Sequence, residues 1–122
     1  MQPRSRFSGA FGAEAATIAA QLLTTVEATG EWALPGAAAL AYLRVPGAPS
    51  PRSWRDASGR VTIFADVRLW DGAAVRAGLV AAGCQFETED DGEVLLHLYL
   101  RHGARFGLHC RGMFVAAIVD AR

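Results

Sequence analysis

The chain has 122 residues, a hydrophobic fraction of 52%, and 12 Lys+Arg set against 12 Asp+Glu. That length suits one domain with a core of its own. Zero formal charge argues against a nucleic-acid binder, which carries a basic excess on one face, and favours association with other protein.

In chain order, Phe7-Ser-Gly-Ala-Phe11 reads as a short strand. Glu14 to Glu27 reads as a helix, with Ile18, Leu22 and Val26 recurring on one face and Thr29-Gly30 ending it through a left-handed glycine. Arg4 and Arg6 ahead of Ala15–Leu23 imitate a secretion leader, but Glu14 and Gln21 interrupt the apolar run. No run reaches the ~18 residues of a membrane span, so a cytoplasmic protein away from membranes is expected. Ala38 to Val45 is a strand; Pro46-Gly-Ala-Pro-Ser-Pro51 opens a loop carried on to residue 58.

Arg60 to Ala65, rich in β-branched and aromatic side chains, is the clearest strand. Asp71 is placed to cap a helix through Ala82, with Val75 and Leu79 as its inner stripe and Gly83 as its terminator. Cys84 to Thr88 is a brief extended piece. Asp90 and Glu93 have capping-box spacing before a helix that runs to about His102 and is apolar nearly all round. Gly112 to Asp120 is a near-continuous apolar strand, of the kind buried on both faces. The order predicts an α+β fold, antiparallel sheet with helices packed outside.

Cys84 and Cys110 fit no metal or redox spacing and read as reduced, mostly buried thiols. His97 and His102 are five apart, a poor match to one helical face, so with His109 they read as solvent-facing and no metal site is expected. The basic group Arg101, His102, Arg105, His109 and Arg111 has Glu87, Glu89, Asp90, Asp91 and Glu93 nearby to neutralise it. No glycine-rich phosphate loop is present.

Four segments stand in consistent register: Gly59-Arg-Val-Thr-Ile-Phe64, Ala77-Gly-Leu-Val-Ala-Ala-Gly83, Glu93-Val-Leu-Leu-His-Leu-Tyr99 and Gly112-Met-Phe-Val-Ala-Ala-Ile-Val-Asp120. Together they resemble the glutaminase domain of asparagine synthetases, a class II glutamine amidotransferase of the N-terminal-nucleophile type. Before residue 59 the resemblance rests on Phe7–Gly12 and Leu40–Val45. It implies an αββα arrangement of two antiparallel sheets between helical layers, with residues 1–122 as a single such domain. Further strands normally follow Asp120 in that family, so the fold is expected to be incomplete.

The resemblance also implies a chemistry, and here the residues depart from it. Family members attack glutamine with an N-terminal cysteine whose own amine is the base. Ser5 aligns with that nucleophile, behind Met1-Gln-Pro-Arg4, and serves only if those four residues are removed. The family's oxyanion pair, Asn-Gly, aligns with Asp66-Val67 inside Asp66-Val-Arg-Leu-Trp-Asp71. A carboxylate there repels an oxyanion by roughly 4 kcal/mol at 4 Å and a dielectric of 20, where losing a donor alone costs about 100- to 1000-fold in rate. The His-Arg-Gly-Pro-Asp loop aligns with Ala28-Thr-Gly-Glu-Trp32, where only Gly30 survives. Arg44 aligns with the arginine that grips the glutamine carboxylate. Asp91 aligns with the aspartate that holds its α-amino group, beside its other reading as a helix cap.

The expected function is therefore a catalytically degenerate amidotransferase-like domain, inactive alone, as in the β-lactam synthetases and lasso-peptide cyclases of the wider family. It would be a structural part or partner of an ATP-dependent amide-forming synthetase or macrolactam cyclase. The Ser-Gly-Gly-x-Asp-Ser loop of the synthetase is absent, so ATP and Mg are implied only for a separate synthetase domain or partner chain, and no cofactor for this one. A homodimer is the other association open to it. Alternatives are an amino-acid-binding or adaptor module using Arg44 and Asp91, and a glutaminase processed to Ser5.

Overall fold

A computed structural model describes residues 7–11, 30–34, 38–42 and 52–122. The chain forms two compact units, Met1–Ser50 and Pro51–Arg122. In the first, β1 (Phe7–Phe11), β2 (Gly30–Leu34) and β3 (Ala38–Tyr42) form an antiparallel sheet in the order β1-β3-β2. Its register sets Phe7 and Gly30 on either side of Tyr42. Gly30 thus begins a strand, and of the segment aligned with the family's His-Arg-Gly-Pro-Asp loop, Gly30, Glu31 and Trp32 lie in β2. The helix expected over 14–27 lies outside the described residues, as do Ser5 and Arg44.

The second unit is a three-stranded antiparallel sheet, β4 (Arg52–Arg55), β5 (Val61–Leu69) and β6 (Gly112–Asp120), with β5 in the middle. Two helices, α1 (Gly72–Ala81) and α2 (Asp91–His102), and a 3₁₀ helix (Gly103–His109) complete it. The architecture is α+β.

Side-chain alternation sends Val61, Ile63 and Ala65 of β5 to the face that packs on Leu95 and Leu96 of α2, with Val67, Leu69, Phe114, Ala116 and Ile118 around them. A second cluster joins α1 to α2 through Leu79, Val94 and Leu98. Because α2 faces both β5 and α1, its apolar residues wrap around it, as the sequence pattern predicts.

Several expectations are corrected. The loop read through residue 58 contains β4, whose register pairs Arg52 with Ala65 and Arg55 with Thr62. Only Trp54 in Arg52-Ser-Trp-Arg55 favours strand, and its ring is seated against Gly92 where a Cβ would stand. Tertiary packing creates this strand. The turn to β5 is built by Asp56, whose Oδ1 accepts the Val61 N–H at 2.9 Å and whose Oδ2 accepts the Ser58 hydroxyl at 2.5 Å.

Nor is β6 buried on both faces: Met113 is 63% and Val115 44% exposed, while the intervening residues turn inward. The near-continuous apolar sequence hides an alternation that only the sheet reveals. Gly112 allows the close approach of β6 to β5, since a Cβ there would overlap the Arg68 carbonyl oxygen.

Both expected side-chain caps are also absent. Asp71 precedes α1 but its Oδ1 accepts the Arg111 N–H at 2.9 Å, tying the helix start to β6. Asp90 precedes α2 in extended conformation with no side-chain cap bond. Gly83 does end α1, at φ 98°.

Candidate functional site

Three carboxylates at the start of α2 each hold a different piece of the molecule. Glu93 is 6% exposed, and its carboxylate turns back to the preceding loop rather than to its own helix end. It accepts the Glu87 N–H at 2.6 Å, the Thr88 N–H at 2.8 Å and the Thr88 hydroxyl at 2.9 Å. Burial raises its pKa, but those N–H donors, the hydroxyl and nearby His97 outweigh it and hold the group below its ordinary value. Asp90 is paired with Arg52 at 2.9 Å across to β4. Asp91 reaches to the end of β5, its Oδ2 accepting the Leu69 N–H at 2.8 Å.

A cation closes the same loop from outside. Arg76 of α1 donates to the Thr88 carbonyl at 2.8 Å and the Asp90 carbonyl at 2.9 Å, with its guanidinium 4.3 Å from the Phe86 ring centre. Nothing in the sequence marks Arg76; its role depends on α1 and the 84–90 loop lying side by side.

The ladder fixes where Asp66 and Val67 point. Trp70 N–H bonds to the Arg111 carbonyl and Ala121 N–H to the Arg60 carbonyl, one at each end of the β5–β6 pairing. Even-numbered residues of β5 therefore bond to β6, and odd-numbered ones turn their N–H the opposite way. Val67 and Leu69 thus address the edge where Arg52, opposite Ala65, is the last described partner in β4. Asp91 closes Leu69 on that edge, two residues from Val67. Asp66, half-buried, pairs with Val115, and alternation sends its side chain to the sheet face away from α2.

The structure therefore brings Val67 and Asp91 to one strand edge, with Asp66 at the neighbouring position. Ser5 and Arg44 lie outside the described residues. A family model described as a glutamine amidotransferase domain matches residues 40–122. The chain belongs to the glutamine amidotransferase domain family. No curated protein matches it.

In this amidotransferase domain Cys110 is not set up as a nucleophile. Cys84 and Cys110 are half-buried free thiols beside the Leu79, Val94 and Leu98 cluster. Burial, and then the negative charge of Asp71, pushes the Cys110 thiol up, away from the thiolate that attacks. The histidines are more engaged than a solvent-facing reading implies. His102 and His109 stack with ring centres 3.5 Å apart, and His97 packs 4.5 Å from Phe86. No metal-holding group of His, Cys, Asp or Glu occurs among the described residues. No helix among them is long and apolar enough to cross a membrane.

Proposed function

We propose that this glutamine amidotransferase domain is catalytically degenerate, keeping the scaffold of the asparagine-synthetase type without its hydrolytic centre. The observation that carries the reading is the Asp66–Val67 pair. By resemblance these positions form the oxyanion hole, yet here they are a carboxylate and a branched residue within the continuous β5–β6 ladder. A carboxylate opposes the negative charge that develops on the attacked amide oxygen, and Val67 narrows the approach to its own N–H. Asp91, at the position that holds the glutamine α-amino group, already has one oxygen engaged by the Leu69 N–H.

On this reading the domain contributes packing and recognition to an ATP-dependent amide-forming synthetase or peptide macrolactam cyclase. That partner, as a separate domain or chain, supplies the ATP and magnesium chemistry. The test is ammonia release from saturating glutamine by the full chain. Background rates are expected, and Asp66→Asn with Val67→Gly should leave them at background because the nucleophile is also missing. Turnover that depends on Ser5, lost in Ser5→Ala, would overturn the proposal.

A further inference from the structure

We propose that the stacked His102–His109 pair is a pH-operated latch: with the rings neutral it holds the 3₁₀ segment Gly103–His109 closed, and charging both releases that segment and unseats Phe106. The inference does not depend on the reading of the Asp66–Val67 pair.

A 3₁₀ run seldom exceeds three or four residues, and seven at ~2.0 Å each would part its ends by about 14 Å. Here the rings at the two ends lie 3.5 Å apart and within 11° of parallel, so the segment is folded back and the imidazoles close it. Gly103, at φ 60°, supplies the turn out of α2. Among the described residues no side chain from His102 to His109 is held by a hydrogen bond or an ion pair. Ring contacts hold them instead. One is the histidine stack; the other is Phe106, whose ring meets Tyr99 at 6.0 Å and Phe114 at 5.9 Å and packs on both apolar clusters. Phe106 thus joins the segment to α2 and β6, and the stack keeps the segment around it shut.

The charges that act on His102 are all positive. Burial lowers its pKa first, then the charge of His109 and that of Arg101, so a second proton on the pair meets repulsion that no carboxylate offsets. Arg105 within the segment and Arg111 just beyond it have the same sign. Glu87, Glu89, Asp90, Asp91 and Glu93 lie before or at the start of α2, the far end of a 12-residue helix about 18 Å long at 1.5 Å per residue. Of the other groups on α2, His97 packs on Phe86 and Tyr99 donates to Asp120. Asp120, the one charged residue of β6, also holds Arg122. At α1, Asp71 accepts the Arg111 N–H and acts on Cys110, while Arg76 is taken up by the Thr88 and Asp90 carbonyls. Because the folded pKa of His102 lies below its unfolded value, the closed state keeps its full stability above the ordinary histidine value. It loses stability as pH falls from there through the folded value.

The test follows the full chain by NMR between about pH 7.5 and about pH 5, a window that brackets the ordinary histidine value. Amide protection, corrected for the intrinsic exchange rate, is expected to fall at least about threefold over Gly103–His109 while that of β5 holds. The His102 ring should stay neutral below the ordinary histidine value. His109→Phe keeps a ring to stack and cannot be charged, so its segment should stay protected in acid and its His102 titration should move up. His102→Phe tests the same protection from the other side, and circular dichroism at both pH values identifies any variant that has lost the fold. Unchanged wild-type protection across the window overturns the proposal. So does an equal loss in a folded phenylalanine variant, or a His102 titration that His109→Phe leaves unmoved.

Discussion

Replacing Glu93 with glutamine removes a charge and keeps the shape, isolating what the carboxylate does. Three donors converge on its two oxygens, two of them backbone N–H groups of Glu87 and Thr88 that cannot turn away. An amide offers one acceptor oxygen and must point its NH₂ at a remaining donor. Hydrogen bonds to a charged acceptor contribute about 1.5–3 kcal/mol each, and a stranded buried donor costs a comparable amount. A loss of ~2–3 kcal/mol at neutral pH is therefore expected, lowering the melting temperature by about 10 °C. The wild-type advantage must also depend on pH. The folded pKa of Glu93 lies below its unfolded value, so the stabilisation is complete above the ordinary carboxylate range and is lost as pH falls through the folded value. Urea denaturation of both proteins across that range, followed by circular dichroism, gives the comparison. Equal midpoints at neutral pH, or a gap that persists unchanged into acid, would refute the argument.

Gly112→Ala places a Cβ against the Arg68 carbonyl and 2.8 Å from the Leu69 Cα, and should cost about 2–3 kcal/mol in urea unfolding by forcing β6 from β5. Gly92→Ala drives a Cβ into the Trp54 ring; the tryptophan emission should shift to the red, with about 2 kcal/mol lost in the same assay. The Tyr99 hydroxyl donates to Asp120 at 2.9 Å, and that bond, burial and the Asp120 charge raise its pKa. Asp120→Asn should bring the phenol titration, followed by ultraviolet absorbance, down toward its ordinary value.

The sequence exposed those elements whose signals are local. The strand β5, α1 with its Gly83 stop, α2 to His102 and β6 from Gly112 to Asp120 are each written in patterning or turn chemistry. What it concealed depends on partners distant along the chain. The strand β4 exists because Trp54 finds a space over Gly92, 38 residues away, and Arg52 finds Asp90 at the same separation. Asp71 and Glu93 sit at helix starts by spacing, yet their carboxylates serve Arg111 and the Glu87–Thr88 loop because those N–H groups lie nearer in the folded chain. The hairpin turn was legible in principle, since Asp56-Ala-Ser-Gly59 carries a turn signature that the proline-rich stretch before it overshadowed. For the site, Asp66, Val67 and Asp91 were marked by the family resemblance alone. Their shared strand edge followed only from the hydrogen-bond parity of β5.

The Arg76 guanidinium has a consequence for how such a molecule can change over generations. It secures the residues leading to Asp91 through two main-chain carbonyls and an aromatic ring, none of which would take part in breaking an amide bond. Side chains nearby can thus be exchanged one at a time without loosening the frame that carries Asp91. Selection acting on shape alone would be enough to preserve that frame.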